Sequence, residues 1–291
     1  MTHIIDGKLI AEEILLSIKK EVEEKFKFIN IRPKIATVLI GNNPASEIYV
    51  KAKLRAAEKV GISTELVIFK EDIDNEKLRE IIISLNKRPD ITGILVQLPL
   101  PNRLDEQIIF ETIDYRKDVD AFGIHNTGLL NHWKSKIMPC TPQGILYVLK
   151  KHLKDLSGKK AVVIGRSIIV GRPMASILIK ENCTVTIAHS KTINIKEECL
   201  QADILIAATG IPNLVKAEWV KKNAFVVDVG ISRVNNKLVG DVAFENVIGT
   251  ASFITPVPGG IGPLTVANLL FNTLKLYLIQ NNLSSDDFII K

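Results

Sequence analysis

Val162-Val163-Ile164-Gly165-Arg166-Ser167-Ile168-Ile169-Val170-Gly171-Arg172-Pro173 is the stretch on which the fold turns. A β-branched run enters a glycine, crosses a short loop and meets a second glycine where a helix can start. Such a turn faces backbone N–H groups and a helix N-terminus toward one point, where the helix dipole favours an anion such as a pyrophosphate. The spacing is Gly-x5-Gly rather than Gly-x-Gly-x-x-Gly, and strand–glycine–helix turns also occur as plain connections. Both readings stand on this segment alone.

The pattern continues outward in both directions. After the loop, Thr184–Ala188, Asp203–Ala207 and Phe225–Val229 are further short β-branched runs, most of them separated by helical stretches. Before it, Ile35–Ile40, Glu65–Phe69 and Thr92–Gln97 read the same way. Alternation of this kind predicts β-α-β units and parallel sheet. A helix between the first two runs is bounded by Asn43 as cap, Pro44 at the first position and Gly61 past the end. Two prolines in Met138-Pro139-Cys140-Thr141-Pro142 predict a domain boundary. The expected organisation is α/β with two domains. Residues 1–138 with 265–291 form a substrate domain, and residues 139–264 a doubly wound nucleotide-binding domain. The final helical run, about Leu264 to Gln280, is expected to pack back on the first domain.

Composition narrows the function classes. Hydrophobic residues are 46% and charged residues 24%, the balance of a packed globular protein. No apolar run reaches the ~20 residues that span a bilayer. The start, Met1–Lys8, lacks the basic-then-apolar order of a secretory signal, so a cytoplasmic location is expected. Cys140, Cys183 and Cys199 are odd in number and form no Cys-x-x-Cys pair, which favours reduced, buried thiols. Five histidines in no ligand spacing predict no protein-bound metal. The net charge of +6 is scattered and aromatics are only 5%, so no nucleic-acid platform is expected.

The strand after the glycine loop ends Ala188-His189-Ser190-Lys191, without the carboxylate that usually bonds the ribose hydroxyls of NAD. Arg166, Ser190 and Lys191 could instead hold a 2′-phosphate, Arg166 through its planar fork of donors. The alternative is an ordinary basic turn. Later strand ends, Ala208-Thr209-Gly210 and Asp228-Val229-Gly230-Ile231, put small residues at the carboxyl edge where open α/β sheets bind ligands.

Chemistry-bearing residues concentrate in the first half. Tyr49 and Lys53 lie four apart and share a helix face, while Lys51 lies nearly opposite. An ammonium whose pKa is lowered by burial can transfer protons, although such pairs also occur on solvated helices. Short-chain dehydrogenases use Tyr-x-x-x-Lys too, but their cofactor glycines precede the pair; here the order is reversed, which removes that rival. Gln97 ends a strand before Leu98-Pro99, where side chains line clefts or are simply exposed. Asp120 sits in Lys117-Asp118-Val119-Asp120, as a loop cap or as an acceptor for the two parallel N–H groups of an amino-pyrimidinone edge.

Five motifs together resemble the bifunctional methylenetetrahydrofolate dehydrogenase/methenyltetrahydrofolate cyclohydrolase family. They are Asn43–Lys53, Gly93–Pro101, Lys117–Asp120, Gly165–Ser167 with Val170–Pro173, and Thr255–Thr265, in family order and across nearly the whole chain. The resemblance implies oxidation of 5,10-methylenetetrahydrofolate with NADP, then hydrolysis of the methenyl product to 10-formyltetrahydrofolate. It implies a Rossmann-like NADP domain, an active cleft between the domains and a homodimer. By it, Tyr49 shapes the folate pocket, Lys53 transfers protons, Gln97 positions Lys53 and Asp120 anchors the pterin. Gly165, Arg166, Ser167, Ser190 and Ile231 match positions that contact NADP, and Pro258, Gly259 and Gly260 belong to the segment closing over substrate. Ala121 and Gly123 stand where the family pattern has glycine and a different residue, and Ile168 where a polar residue is frequent. A dehydrogenase with little cyclohydrolase activity, a silent NADP-binding regulator, and an amino-acid or shikimate-type dehydrogenase are the alternatives. The first sits poorly with Tyr49, Lys53 and Gln97 together, the second with Lys53 beside Asp120, and the third with the pterin-anchoring motif.

Overall fold

The computed structural model describes residues 1–25, 32–235 and 237–283. The chain opens with β1 (His3–Ile4), α1 (Gly7–Lys25), β2 (Lys34–Ile40), α2 (Pro44–Val60), β3 (Ser63–Phe69), α3 (Asn75–Asn86) and β4 (Gly93–Val96). Three helices follow: α4 (Gln107–Thr112), α5 (Ile124–Asn131) and α6 (Cys140–Leu153). The glycine loop then lies between β5 (Lys160–Ile164) and α7 (Gly171–Lys180), followed by β6 (Thr184–Ala188), α8 (Ile195–Leu200), β7 (Ile204–Ala207) and β8 (Phe225–Asp228). The last elements are β9 (Ser232–Val234), β10 (Lys237–Val239), α9 (Phe244–Val247), β11 (Phe253–Ile254) and α10 (Ile261–Gln280). All seven β-branched runs are strands.

Two compact units emerge, Met1–Ala11 with Thr141–Thr265, and Glu12–Cys140 with Val266–Lys291. Residues 284–291 of the expected substrate domain lie outside the described residues. The switch at Cys140/Thr141 falls inside the double-proline segment. The expected division differs at the start: Met1–Ala11 group with the nucleotide-loop unit, because β1 pairs in parallel with β11, His3 opposite Phe253 and Ile4 opposite Ile254. Two residues are too short for an alternation pattern, and their partner is 250 residues away in sequence.

The first unit holds a six-stranded sheet in the order β1-β11-β8-β7-β5-β6, every pairing parallel. The chain runs from β5 out to β6, then returns to β7 on the other side of β5. That reversal is a topological switch point, where the loops after β5 and β7 part and leave a crevice at their carboxyl ends. Val162, Ile164, Leu205, Ala207, Val226 and Ile254 pack one core, with Cys199 and Val247 from flanking helices. A β9–β10 hairpin pairs antiparallel beyond the sheet.

The second unit repeats the arrangement in miniature, a parallel sheet ordered β3-β2-β4. Asn43 Oδ1 accepts the N–H of Ser46 at 3.2 Å, and Gly61 at φ 77° ends α2, as the sequence marks them. From α10, buried Asn272 donates to the carbonyls of Val119 and Met138, both at 2.8 Å. This fixes the final helix against the loop that carries Asp120, in line with the expected packing.

Candidate active site

In the second unit, β2 and β4 are paired neighbours, and Gln97 leaves β4 with its N–H on the carbonyl of Val38. The α2 helix that follows β2 brings Lys53 over the same edge. Lys53 Nζ donates to Gln97 Oε1 at 2.9 Å. Gln97, 8% exposed, uses its Nε2 to donate to the carbonyl of Leu98, so its oxygen is the atom left to face the lysine. The orientation of the amide is therefore fixed by the backbone behind it.

Burial depresses the Lys53 ammonium below the usual lysine range, with Asp120 and then Cys140 pulling the other way. Burial also raises the Asp120 carboxyl, and the charge of Lys53 opposes that rise. An amine and a carboxyl sharing a poorly hydrated site in this way are what a proton shuttle needs. Half-buried Tyr49 lies one turn before Lys53, its hydroxyl pKa raised by burial. Lys51 is exposed and pairs with Glu47 at 3.6 Å, as its opposite phase requires.

Two residues of this site escape sequence reading. Cys140 Sγ donates to Asp120 Oδ1 at 3.6 Å and to the carbonyl of Val119 at 3.5 Å, and burial lifts its thiol well above the ordinary range. It is the buried, reduced thiol expected, as are Cys183 and Cys199, but it also touches a site carboxyl. Asp118 braces the loop: its Oδ2 accepts the N–H of Gly123 at 2.8 Å and Asn126 Nδ2 at 3.0 Å. Burial pushes its carboxyl up to about 6. The Cys140 contacts join segments about 20 residues apart, and those of Asp118 stay within its own loop but follow no standard capping spacing. Ala121, where glycine was expected, has φ 57°, the left-handed region that explains why the family pattern prefers glycine there.

In the first unit the strand register aligns the nucleotide-side residues. Ala188, Ile164, Ala207 and Asp228 are consecutive partners across β6, β5, β7 and β8. Immediately beyond them come Ser190, then Gly165-Arg166-Ser167, then Thr209-Gly210, then Ile231. Arg166, Ser167, Ser190 and Ile231 are exposed and open to a ligand. Gly165 has φ 127°, and a side chain there would overlap the carbonyl oxygen of Ala208. Gly171 packs as tightly against the backbone of Gly165 and Arg166. Ser167 Oγ accepts the N–H groups of Val170 (3.2 Å) and Gly171 (3.4 Å), winding the turn into α7. The donor set fits a dinucleotide phosphate: a glycine turn at a helix start, a guanidinium, two hydroxyls and no carboxylate after β6. Pro258 is exposed, Gly259 has φ 101°, and Gly260 is buried where the backbone of Gly7 lies against its carbonyl oxygen. Among the described residues, no group of three or more His, Cys, Asp or Glu side chains is placed to hold a metal ion, and no helix is long and apolar enough to cross a membrane.

Fold and site together define an α/β oxidoreductase class with a nucleotide-type sheet in one unit and an acid–base cluster in the other. Residues 5–120 match the catalytic-domain model of tetrahydrofolate dehydrogenase/cyclohydrolase, and residues 139–281 match its NAD(P)-binding-domain model. The chain belongs to the tetrahydrofolate dehydrogenase/cyclohydrolase family. It is 47% identical over 291 residues to the bifunctional protein FolD of a Wolbachia strain from Drosophila simulans, covering 99% of this chain and 100% of that protein. The crystal structure of the bifunctional FolD enzyme from Campylobacter jejuni matches with a TM-score of 0.92 at 43% identity, covering 97% of this chain and 100% of that one. The Trypanosoma brucei enzyme, solved with NADP cofactor and inhibitor, matches with a TM-score of 0.92 at 35% identity, covering 96% and 98%.

Proposed function

We propose that this protein oxidises 5,10-methylenetetrahydrofolate to the methenyl form with NADP and then hydrolyses that product to 10-formyltetrahydrofolate. The observation that carries the reading is the buried Lys53 amine, 2.9 Å from Gln97 Oε1 and under the charge of Asp120, on a chain matched to both family domains. Bound NADP supplies the acceptor for the hydride that leaves the one-carbon bridge. Gly165, Arg166, Ser167, Ser190 and Ile231 are assigned to holding it, with Arg166 on the 2′-phosphate, where a planar donor fork suits the anion.

Asp120 is assigned to the amino-pyrimidinone edge of the pterin, Tyr49 to the face of the folate, and Pro258, Gly259 and Gly260 to the segment closing over it. Lys53 does the proton work. Its depressed pKa leaves a neutral fraction that can take a proton as water adds to the electrophilic methenyl carbon. The same group returns a proton to N5 as the carbon–N5 bond breaks, and one proton is released overall. Gln97 holds the amine without adding charge that would lock it as ammonium. The division of labour places catalysis in the Glu12–Cys140 unit and cofactor binding in the Thr141–Thr265 unit, in a homodimer located in the cytoplasm.

The test is a spectrophotometric assay with methylenetetrahydrofolate and NADP. NADPH formation without build-up of the methenyl compound is expected from the wild type, and its absence refutes the reading. Lys53→Met should lose cyclohydrolase activity by about a hundredfold or more, the typical worth of one acid–base group. Full retention removes Lys53 from the mechanism.

A further inference from the structure

The acidic pair Asp228 and Asp241 lies outside every residue assigned above, yet both are buried, at 3% and 0% exposure. Their bonds converge on the cofactor edge. Asp241 Oδ2 accepts three donors from one turn: the N–H and hydroxyl of Thr209 and the N–H of Gly210, the last two at 3.0 Å. The Thr209 hydroxyl in turn accepts the N–H of Ile211 at 3.1 Å. That turn is the first chain beyond β7, on one side of the topological switch point, and its other wall is the Gly165 loop packed on Ala208.

Asp228 holds the next turn along. Its Oδ1 accepts the N–H groups of Gly230 (3.0 Å) and Asp241 (2.9 Å), and its Oδ2 that of Val242 (2.9 Å). Ser232 Oγ then donates to the carbonyl of Gly210 at 3.3 Å and ties the two turns together around Ile231. Space for this clamp is kept by glycine. A side chain at Gly230 would overlap Asp241, and one at Gly240 would overlap Asp228.

We infer that Asp241 is a positioning residue for the cofactor, acting through the Thr209–Gly210 turn that it holds at the switch-point crevice. The inference rests on the assignment of that crevice to NADP. Three donors on one buried carboxylate oxygen fix both peptide planes of the turn, and without that oxygen two N–H groups of the turn lose their charge-assisted acceptor. The turn would then sample other conformations and bind cofactor less well, while the acid–base cluster of the other unit keeps all its bonds.

Asp241→Ala and Asp241→Asn test this by calorimetric titration with NADP and by steady-state kinetics. Asp241→Ala should weaken NADP about tenfold and raise the KM for NADP in step, the scale of a lost hydrogen bond to a charged group. The KM for methylenetetrahydrofolate, and cyclohydrolase turnover of supplied methenyltetrahydrofolate without NADP, should stay within about twofold. A folded Asp241→Ala with unchanged NADP affinity overturns the inference, as do equal losses in all these quantities. Where the alanine variant loses cooperative unfolding, Asp241→Asn decides, since it keeps an acceptor oxygen without the charge. It should weaken NADP by about threefold, charge-assisted bonds being roughly twice as strong as neutral ones, and an unaltered titration refutes the clamp. Wild-type protein that binds NADP yet oxidises no methylenetetrahydrofolate would sink the functional reading and leave the clamp to the titration alone.

Discussion

Lys53 and Gln97 show how one hydrogen bond sets a protonation state. The amide offers an oxygen and no charge, so burial remains the largest influence on the lysine. Gln97→Glu would put a carboxylate at the same place and favour the ammonium. The rising limb of the cyclohydrolase pH profile should then move up by about one unit or more, with a lower rate at neutral pH. An unmoved limb would show that Lys53 is not the group titrating. Asp118 makes a different prediction, about stability. Its folded pKa of about 6 stands above the ordinary 3.8, so the folded state holds the proton more tightly. The contribution is fully present below about pH 4 and is lost as pH rises through 6, up to ~3 kcal/mol for a shift of this size. Asp118→Asn should flatten that part of the pH–stability curve measured by urea unfolding, whatever its absolute stability. A curve parallel to the wild type's would contradict the assignment.

Among the elements, the strands were the legible part. Runs such as Ala161–Ile164 and Ile204–Ala207 are continuous, β-branched and bounded by glycine or polar residues, which is how a strand covered on both faces reads. The α2 helix was legible to the residue because its cap, its proline and its terminal glycine all obey local rules. The hairpin β9–β10 and the two-residue β1 and β11 were not, since their existence depends on partners elsewhere. The same divide runs through the site. Lys53, Gln97 and Asp120 stand in recognisable local patterns, whereas the contact of Cys140 with Asp120 and the grip of Asp241 on Thr209 join segments 20 and 32 residues apart. The glycine loop belongs to both groups: its spacing was ambiguous, and only pairing β5 between β6 and β7 turned it into a crevice wall. Gly165→Ala should cost about 2 kcal/mol or more, because left-handed backbone strain adds to overlap with Ala208. It should also reduce NADP binding beyond detection in a direct titration. A variant with an unchanged unfolding midpoint would show that the turn is less tight than its geometry.

For the molecule as a whole, cofactor binding must appear as added stability. Ligand that binds only the folded state at 100 times its Kd contributes about 2.7 kcal/mol, and for a chain of this size the Tm should rise by roughly 4–5 °C. NADP should raise it more than NAD at equal concentration, and Arg166→Ala should erase the difference. Equal shifts from the two dinucleotides in the wild type would remove Arg166 from 2′-phosphate recognition.

The interleaved course of the chain also governs when folding can finish. The nucleotide-side sheet is bordered by residues 3 and 4, whose partners, 253 and 254, leave the ribosome about 250 residues later. The acid–base unit likewise waits for the segment after Val266, including Asn272, which braces the Asp120 loop. The first unit can therefore close only after most of the second has been made, the second only after the first, and a nascent chain stalled near residue 140 carries Lys53, Gln97 and Asp120 without the helix that holds the Asp120 loop in place. For this protein, vectorial synthesis delivers parts in one order and the native state joins them in another.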